Sequence, residues 1–227
     1  MNGELIVVDD VAEAFTERVV EAFDNRVTDL FTIALSGGET ARRCYQNLAE
    51  QAADRIDWWK VDFYWGDERA VPLDHPDSNY RLAREALLER IGGANMVHPM
   101  ECERGSDRYH LEVGELGAFD LVHLGLGPDG HTASLFGGSP ALDADPGRLV
   151  VMNHDPSGKN PYERMTLTFT AIARSRLALV TVSGEEVADA LAAVARGDDV
   201  PAARLDAPNL VWLVDPAAAS ALPSHRR

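Results

Sequence analysis

Eight short apolar runs punctuate the chain: Leu5 to Val8, Phe31 to Leu35, Val61 to Trp65, Phe119 to Leu124, Leu149 to Met152, Met165 to Phe169, Leu177 to Val182 and Leu210 to Val214. Their length and their content of branched and aromatic side chains read as strands. Helical patterns lie between them. Val11, Phe15, Val19 and Phe23 recur at every fourth position, a second helix carries Tyr45 and Leu48, and a third shows Leu82, Ala86, Leu87, Leu88 and Ile91 after a cap at Asp77 or Ser78. Strands alternating with helices predict an α/β fold: a three-layer α/β/α arrangement around a mostly parallel, Rossmann-like sheet. At 227 residues the chain can build a full core, no low-complexity linker interrupts it, and residues 1–227 read as one domain. Ligands of such sheets bind beyond the carboxyl ends of the strands, which directs attention to the turns after Leu35, Trp65, Leu124 and Val182.

The turn after Leu124 is the most informative. Gly125-Leu126-Gly127-Pro128-Asp129-Gly130-His131-Thr132 presents one histidine, with Asp129 beside it, on a glycine-rich bend. Glycine lets backbone N–H groups come close to an anion or a polarised carbonyl, so the stretch offers a base and a cradle together. Two other readings fit the same residues. Gly125, Gly127 and Gly130 match the spacing of a dinucleotide-binding turn, although they lie past mid-chain with no acidic residue at the end of a following strand. Asp129 could also serve simply as the N-cap of a helix, leaving His131 solvated.

Three further strand ends carry chemistry. Ser36-Gly37-Gly38-Glu39-Thr40 could hold a phosphate at a helix N-terminus, while Ser36 and Glu39 also have the spacing of a capping box. Gly66-Asp67-Glu68-Arg69 sets two carboxylates and a guanidinium after a strand. The arginine suits bidentate contact with phosphate, and Asp67 could orient a base or a hydroxyl; a surface ion pair is the simpler alternative. Arg164 opens the strand Met165 to Phe169, where many arginines are merely exposed. Ser183 and Glu186 again have capping-box register. His123, inside an apolar run, reads as a core or wall residue with a satisfied ring nitrogen, and no His, Cys, Asp or Glu cluster has metal-ligand spacing.

Composition narrows the partners. A formal net charge of -16 and a pI near 4.7 oppose binding to nucleic acid or an anionic membrane. Lysine is confined to Lys60 and Lys159, so an anionic substrate must be met by arginine. Cys44 and Cys102 make neither a disulfide framework nor a zinc site, and the acidic start Met1 to Asp10 lacks the features of a secretory signal, so a cytoplasmic protein is expected.

Taken in order, Ser36-Gly37-Gly38-x-Thr40, Trp65-Gly66-Asp67-Glu68-Arg69, Asp77-Ser78-Asn79, Gly125-x-Gly127-x-Asp129-Gly130-His131-Thr132-Ala133-Ser134-Leu135-Phe136, Arg164-x-Thr166-Leu167-Thr168 and Ser183-Gly184 resemble the 6-phosphogluconolactonase family. The likeness runs from Leu35 to about Leu191. It implies an α/β fold shared with glucosamine-6-phosphate deaminase and ribose-5-phosphate isomerase, no cofactor, and hydrolysis of a sugar-phosphate lactone in the oxidative pentose phosphate pathway. The catalytic residues it implies are His131 as general base with Asp67 and Asp129. Ser36, Gly37, Gly38, Thr40, Arg69, Arg164, Gly127 and Gly130 would bind the substrate and its phosphate. The only partner expected is that small lactone, with the chain a monomer or weak homodimer.

The chain departs from the family pattern at several points. Val187 stands where the family has a lysine after Ser-Gly-x-x, Ala41 and Gly137 replace customary prolines, and the segment Glu101 to Phe119 is short for the helix usual there. Lys159 and Arg174 are the candidates to replace the missing lysine. A deaminase-like enzyme and a non-catalytic sugar-phosphate-binding domain are the alternatives, although the deaminase pattern has Asp-Glu-Tyr where this chain has Asp67-Glu68-Arg69.

Overall fold

The computed structural model describes residues 1–223. Seven parallel strands form its central sheet. In chain order they are β1 (Glu4–Val7), β2 (Phe31–Leu35), β3 (Val61–Trp65), β5 (Met96–Val97), β6 (Leu121–Gly125), β9 (Leu177–Val182) and β10 (Leu210–Val214), and they lie side by side as β1-β10-β9-β6-β2-β3-β5. Six of them are runs legible in the sequence. The two-residue edge strand β5 is too short to show any periodicity.

Helices cover both faces. α1 (Val11–Asp24) and α2 (Glu39–Gln51) lie on the face presented by Ile33, Phe63 and His123: the Phe15 ring sits 4.4 Å from that of His123, and Val19 and Leu48 meet Ile33 and Phe63. α4 (Asp107–Leu116) covers the opposite face, where Tyr109 packs 6.2 Å from Tyr64 and its hydroxyl accepts the Trp65 N–H at 2.8 Å. Asp10 caps α1 by accepting from Ala12 and Glu13, while Ser78 caps the short α3 (Asn79–Ala83), which continues as a π-helical turn over Arg84–Leu88. The remaining helices are α5 (Phe169–Ala173) and α6 (Ala188–Arg196). Among the described residues, no helix is long and apolar enough to cross a membrane.

Two predicted strands leave the parallel sheet. β7 (Val150–Asn153) and β8 (Arg164–Leu167) join β4 (Asp67–Arg69) in a separate antiparallel sheet, in the order β4-β8-β7. Gly66 hinges the two sheets: its N–H donates to Leu35 in the parallel sheet at 2.7 Å and its carbonyl accepts from Leu167 at 2.8 Å. The run expected to extend to Phe169 stops at Leu167, because the Thr168 hydroxyl accepts from the Ala171 N–H and starts α5. Neither proposed capping box forms. Gly38 is the N-cap of α2 with no side chain on its first turn, and Gly184 opens the turn that precedes α6 while Ser183 donates to Asp215 at 2.6 Å. The segment Glu101 to Phe119 yields only a ten-residue helix after a single 3-10 turn, consistent with its shortness in sequence.

Candidate active site

The turns after β2, β3 and β6 and the start of β8 enclose a cleft of about 250 Å³ at the carboxyl end of the sheet. Ser36, Gly37, Gly38, Asp67, Arg69, Gly127, His131 and Arg164 all line it, joined by Asn79 and Asn160. A larger cavity of about 350 Å³ opens beside β5 and α4, but its Arg104 and Arg108 are already paired with Glu101 and Glu112. The smaller cleft by contrast holds Arg69 and Arg164 side by side, neither of them in an ion pair among the described residues.

His131 is held by its own turn. The Asp129 carboxylate accepts from the His131 ring at Nδ1 and from the His131 N–H, and the Gly127 N–H donates to the His131 carbonyl at 2.9 Å. With Nδ1 carrying the proton, a tautomer assigned from this network, Nε2 keeps its lone pair and has no partner among the described residues. That hydrogen bond, more than the charge of the ring, holds the Asp129 carboxyl below its ordinary range against a partial burial that would raise it. A side chain at Gly127 would occupy the space of the imidazole, which is why the turn needs glycine there. No helix follows. Thr132 bridges to Leu135 and the next helical turn is Pro140–Asp143, so both the helix-cap role for Asp129 and the dinucleotide-turn reading are overturned.

Behind the histidine lies a buried polar frame. Asp67 accepts from the Ser134 hydroxyl at 2.6 Å and from the Asn79 amide at 3.2 Å, which fixes its carboxylate at the cleft wall. Glu68 points the other way. Its two oxygens accept from the N–H groups of Arg69, Asn79 and Tyr80 and from the Ser78 hydroxyl, so it fastens the start of α3 to β4. Burial still outweighs those four bonds and raises its pKa. The surface ion pair considered for this segment does not exist, since Glu68 is spent on backbone donors.

Arg69 and Arg164 are register partners across β4 and β8, and neither makes an ion pair among the described residues. Arg69 donates to the Asp77 carbonyl at 2.5 Å; Arg164 is 6% exposed and has no hydrogen-bonded acceptor. Burial lowers the Arg164 pKa, the Asp67 charge opposes that shift, and Arg69 adds to it. The exposed-arginine reading of Arg164 is thereby corrected: its side chain is enclosed because β8 lies in the middle of the small sheet.

Thr40 falls in a second lobe of about 240 Å³, across the Ser36-Gly37-Gly38 wall, with Thr181, Ser183, Glu186 and Val187. α2 opens into it. Gly38, at φ 92°, adopts a conformation available to glycine, no side chain caps the helix, and the first-turn N–H groups are left for a ligand. The lobe contains no Lys or Arg and two carboxylates, Glu39 and Glu186. Lys159 and Arg174 are exposed and line neither lobe. Gly130 is part of the His131 turn rather than of the cleft wall, its N–H bound to Gly127 and its carbonyl to Ala202. Ser134 and Asn79 were visible within the sequence motifs without an assigned role, and no role was read for Asn160 or Thr181 either. Among the described residues, no group of three or more His, Cys, Asp and Glu could hold a metal ion.

The same architecture occurs in known proteins. A 6-phosphogluconolactonase of Synechocystis sp. is 37% identical over 230 residues, covering 92% of this chain and 91% of its own. One of Mycobacterium tuberculosis is 40% identical over 213 residues, covering 85% of each. The solved structure of 6-phosphogluconolactonase from Trypanosoma cruzi superposes with a TM-score of 0.83 at 28% identity, over 96% of both chains. The family model for glucosamine-6-phosphate isomerases/6-phosphogluconolactonase matches residues 5–212, from β1 into β10, and this chain belongs to that family.

Proposed function

We propose that this enzyme hydrolyses 6-phospho-D-glucono-1,5-lactone to 6-phosphogluconate, the ring-opening step of the oxidative pentose phosphate pathway, with His131 as its general base. The observation that carries the reading is the pairing of Arg69 and Arg164. Two like charges directly opposite in a sheet repel, and although the Asp67 charge acts on Arg164, no carboxylate among the described residues forms an ion pair with either guanidinium, so the pair is suited to an anion bridging both. The relatives bearing the lactonase name add support, as does a lone-pair nitrogen at His131 in the same cleft.

The chemistry follows from the lactone being an ester. Nε2 of His131 takes a proton from water as the water oxygen bonds to C1, and the carbonyl oxygen becomes an oxyanion. When the bond from C1 to the ring oxygen breaks, the imidazolium returns the proton to that oxygen. General base assistance of this kind contributes roughly 10² to 10⁴ in rate. Among the described residues Gly37 and Gly38 keep backbone N–H groups with no protein acceptor and serve as donors to the substrate phosphate, together with the first turn of α2 at Thr40. Arg69 and Arg164 hold the 6-phosphate, Asp67 orients a sugar hydroxyl or the water, and Asp129 keeps His131 in its basic tautomer.

The test is a hydrolysis assay comparing phosphorylated with unphosphorylated gluconolactone. Charge-assisted contacts from one buried and one half-buried arginine should give a kcat/KM ratio of about 10² or more in favour of the phosphorylated lactone. Equal values on both would remove the phosphate site from the account while leaving the histidine chemistry in place.

A further inference from the structure

Directly beneath the Ser36 turn lie two buried polar rings that the chemistry above does not use. Tyr45 of α2 and His123 of β6 are both fully enclosed. The Tyr45 hydroxyl accepts the Ser36 N–H at 2.6 Å and lies 3.1 Å from the Ser36 carbonyl; His123 places Nδ1 2.9 Å from the same hydroxyl and Nε2 2.9 Å from the Thr181 hydroxyl. No other group among the described residues donates to the Ser36 carbonyl. Every partner is satisfied in one arrangement, in which the tyrosine proton goes to that carbonyl, His123 donates from Nδ1, and Nε2 accepts from Thr181. One side chain thus clamps both backbone groups of Ser36. Because the peptide bond is planar and trans, a Ser36 carbonyl turned inward to Tyr45 forces the Gly37 N–H to point the opposite way, toward the cleft.

We propose that Tyr45 and His123 form a positioning unit that sets the Gly37 N–H against the substrate phosphate and ties the Ser36 turn to Thr181 on the far wall of the second lobe. The inference rests on the phosphate reading above. It assigns the pair to substrate grip rather than to proton transfer: neither ring reaches the cleft, and both are packed among Phe15, α2 and the sheet.

Tyr45→Phe removes the clamp at nearly constant volume. Tyr45→Phe removes three hydrogen bonds around Ser36, and misplacing the single Gly37 N–H should raise KM for the phosphorylated lactone about tenfold. By contrast kcat should stay within about twofold, and KM for the unphosphorylated lactone should not move, because His131 is held independently by Asp129. Thr181→Val tests the other arm on a strand that favours valine, and Thr181→Ser should restore the wild-type KM. A folded Tyr45→Phe protein with unchanged KM on the phosphorylated lactone, or with KM raised equally on both lactones, overturns the proposal. If Tyr45→Phe does not fold, an unchanged KM in Thr181→Val does so. A wild-type enzyme with no preference between the two lactones would instead remove the phosphate reading itself, and the positioning role with it.

Discussion

Arg69 and Arg164 face each other across the register of β4 and β8, and among the described residues neither forms an ion pair. A protein with formal net charge -16 has acid to spare, yet leaves these two cations outside any ion pair in its cleft, with only the Asp67 charge nearby. The arrangement costs repulsion in the free enzyme and is relieved when an anion binds. Arg164→Met keeps the length of the side chain while removing its charge. The expected outcome is a fall of about 10² in kcat/KM for the phosphorylated lactone, with unphosphorylated lactone unaffected, measured by steady-state hydrolysis. Thermal stability should hold or rise, since one buried, unpaired charge is gone.

Val187 points to a second substitution. It lies in a lobe with Glu39 and Glu186 but no basic residue, next to the uncapped start of α2. Val187→Lys would add a cation there. KM for the phosphorylated lactone should fall about three- to tenfold, an effect that shrinks as ionic strength rises from 0.05 to about 0.5 M. An unchanged KM at low salt would place the phosphate beyond reach of that lobe.

His123 should make the fold acid-sensitive. Burial drives its pKa down from 6.5 to about 3, so the folded protein leaves the ring neutral where the unfolded chain protonates it. The sign follows directly: this contribution is complete above about pH 6.5 and is lost as pH falls from there toward about 3, with a slope of at most about 1.4 kcal/mol per pH unit. Urea denaturation at pH 7 and pH 5 should show the wild type losing about 2 kcal/mol more than His123→Gln over that interval. Parallel losses in both proteins would mean that the ring titrates normally.

Much of this was legible from residues whose local pattern and tertiary role agree. Phe31–Leu35, Val61–Trp65 and Leu177–Val182 are apolar because parallel strands are buried on both faces, and the turns that follow them line the cleft and its second lobe. His131 stood out because a glycine turn brackets it. What stayed hidden depends on pairing distant in sequence. Arg69 and Arg164 are ninety-five positions apart, and only the antiparallel β4 and β8 bring them together. The capping-box readings of Ser36 and Ser183 failed because each residue's backbone or hydroxyl is claimed from elsewhere, by Tyr45 and by Asp215. Spacing alone also could not show that Glu68 turns away from the cleft into the N–H groups of α3.

The most direct measurement is kcat for His131→Ala on 6-phosphogluconolactone, with the spontaneous hydrolysis rate subtracted. Removal of the base should lower kcat by about 10² to 10⁴ while KM stays within a few-fold, because the arginine pair and the Ser36 turn are untouched. A variant that keeps wild-type kcat would contradict the account.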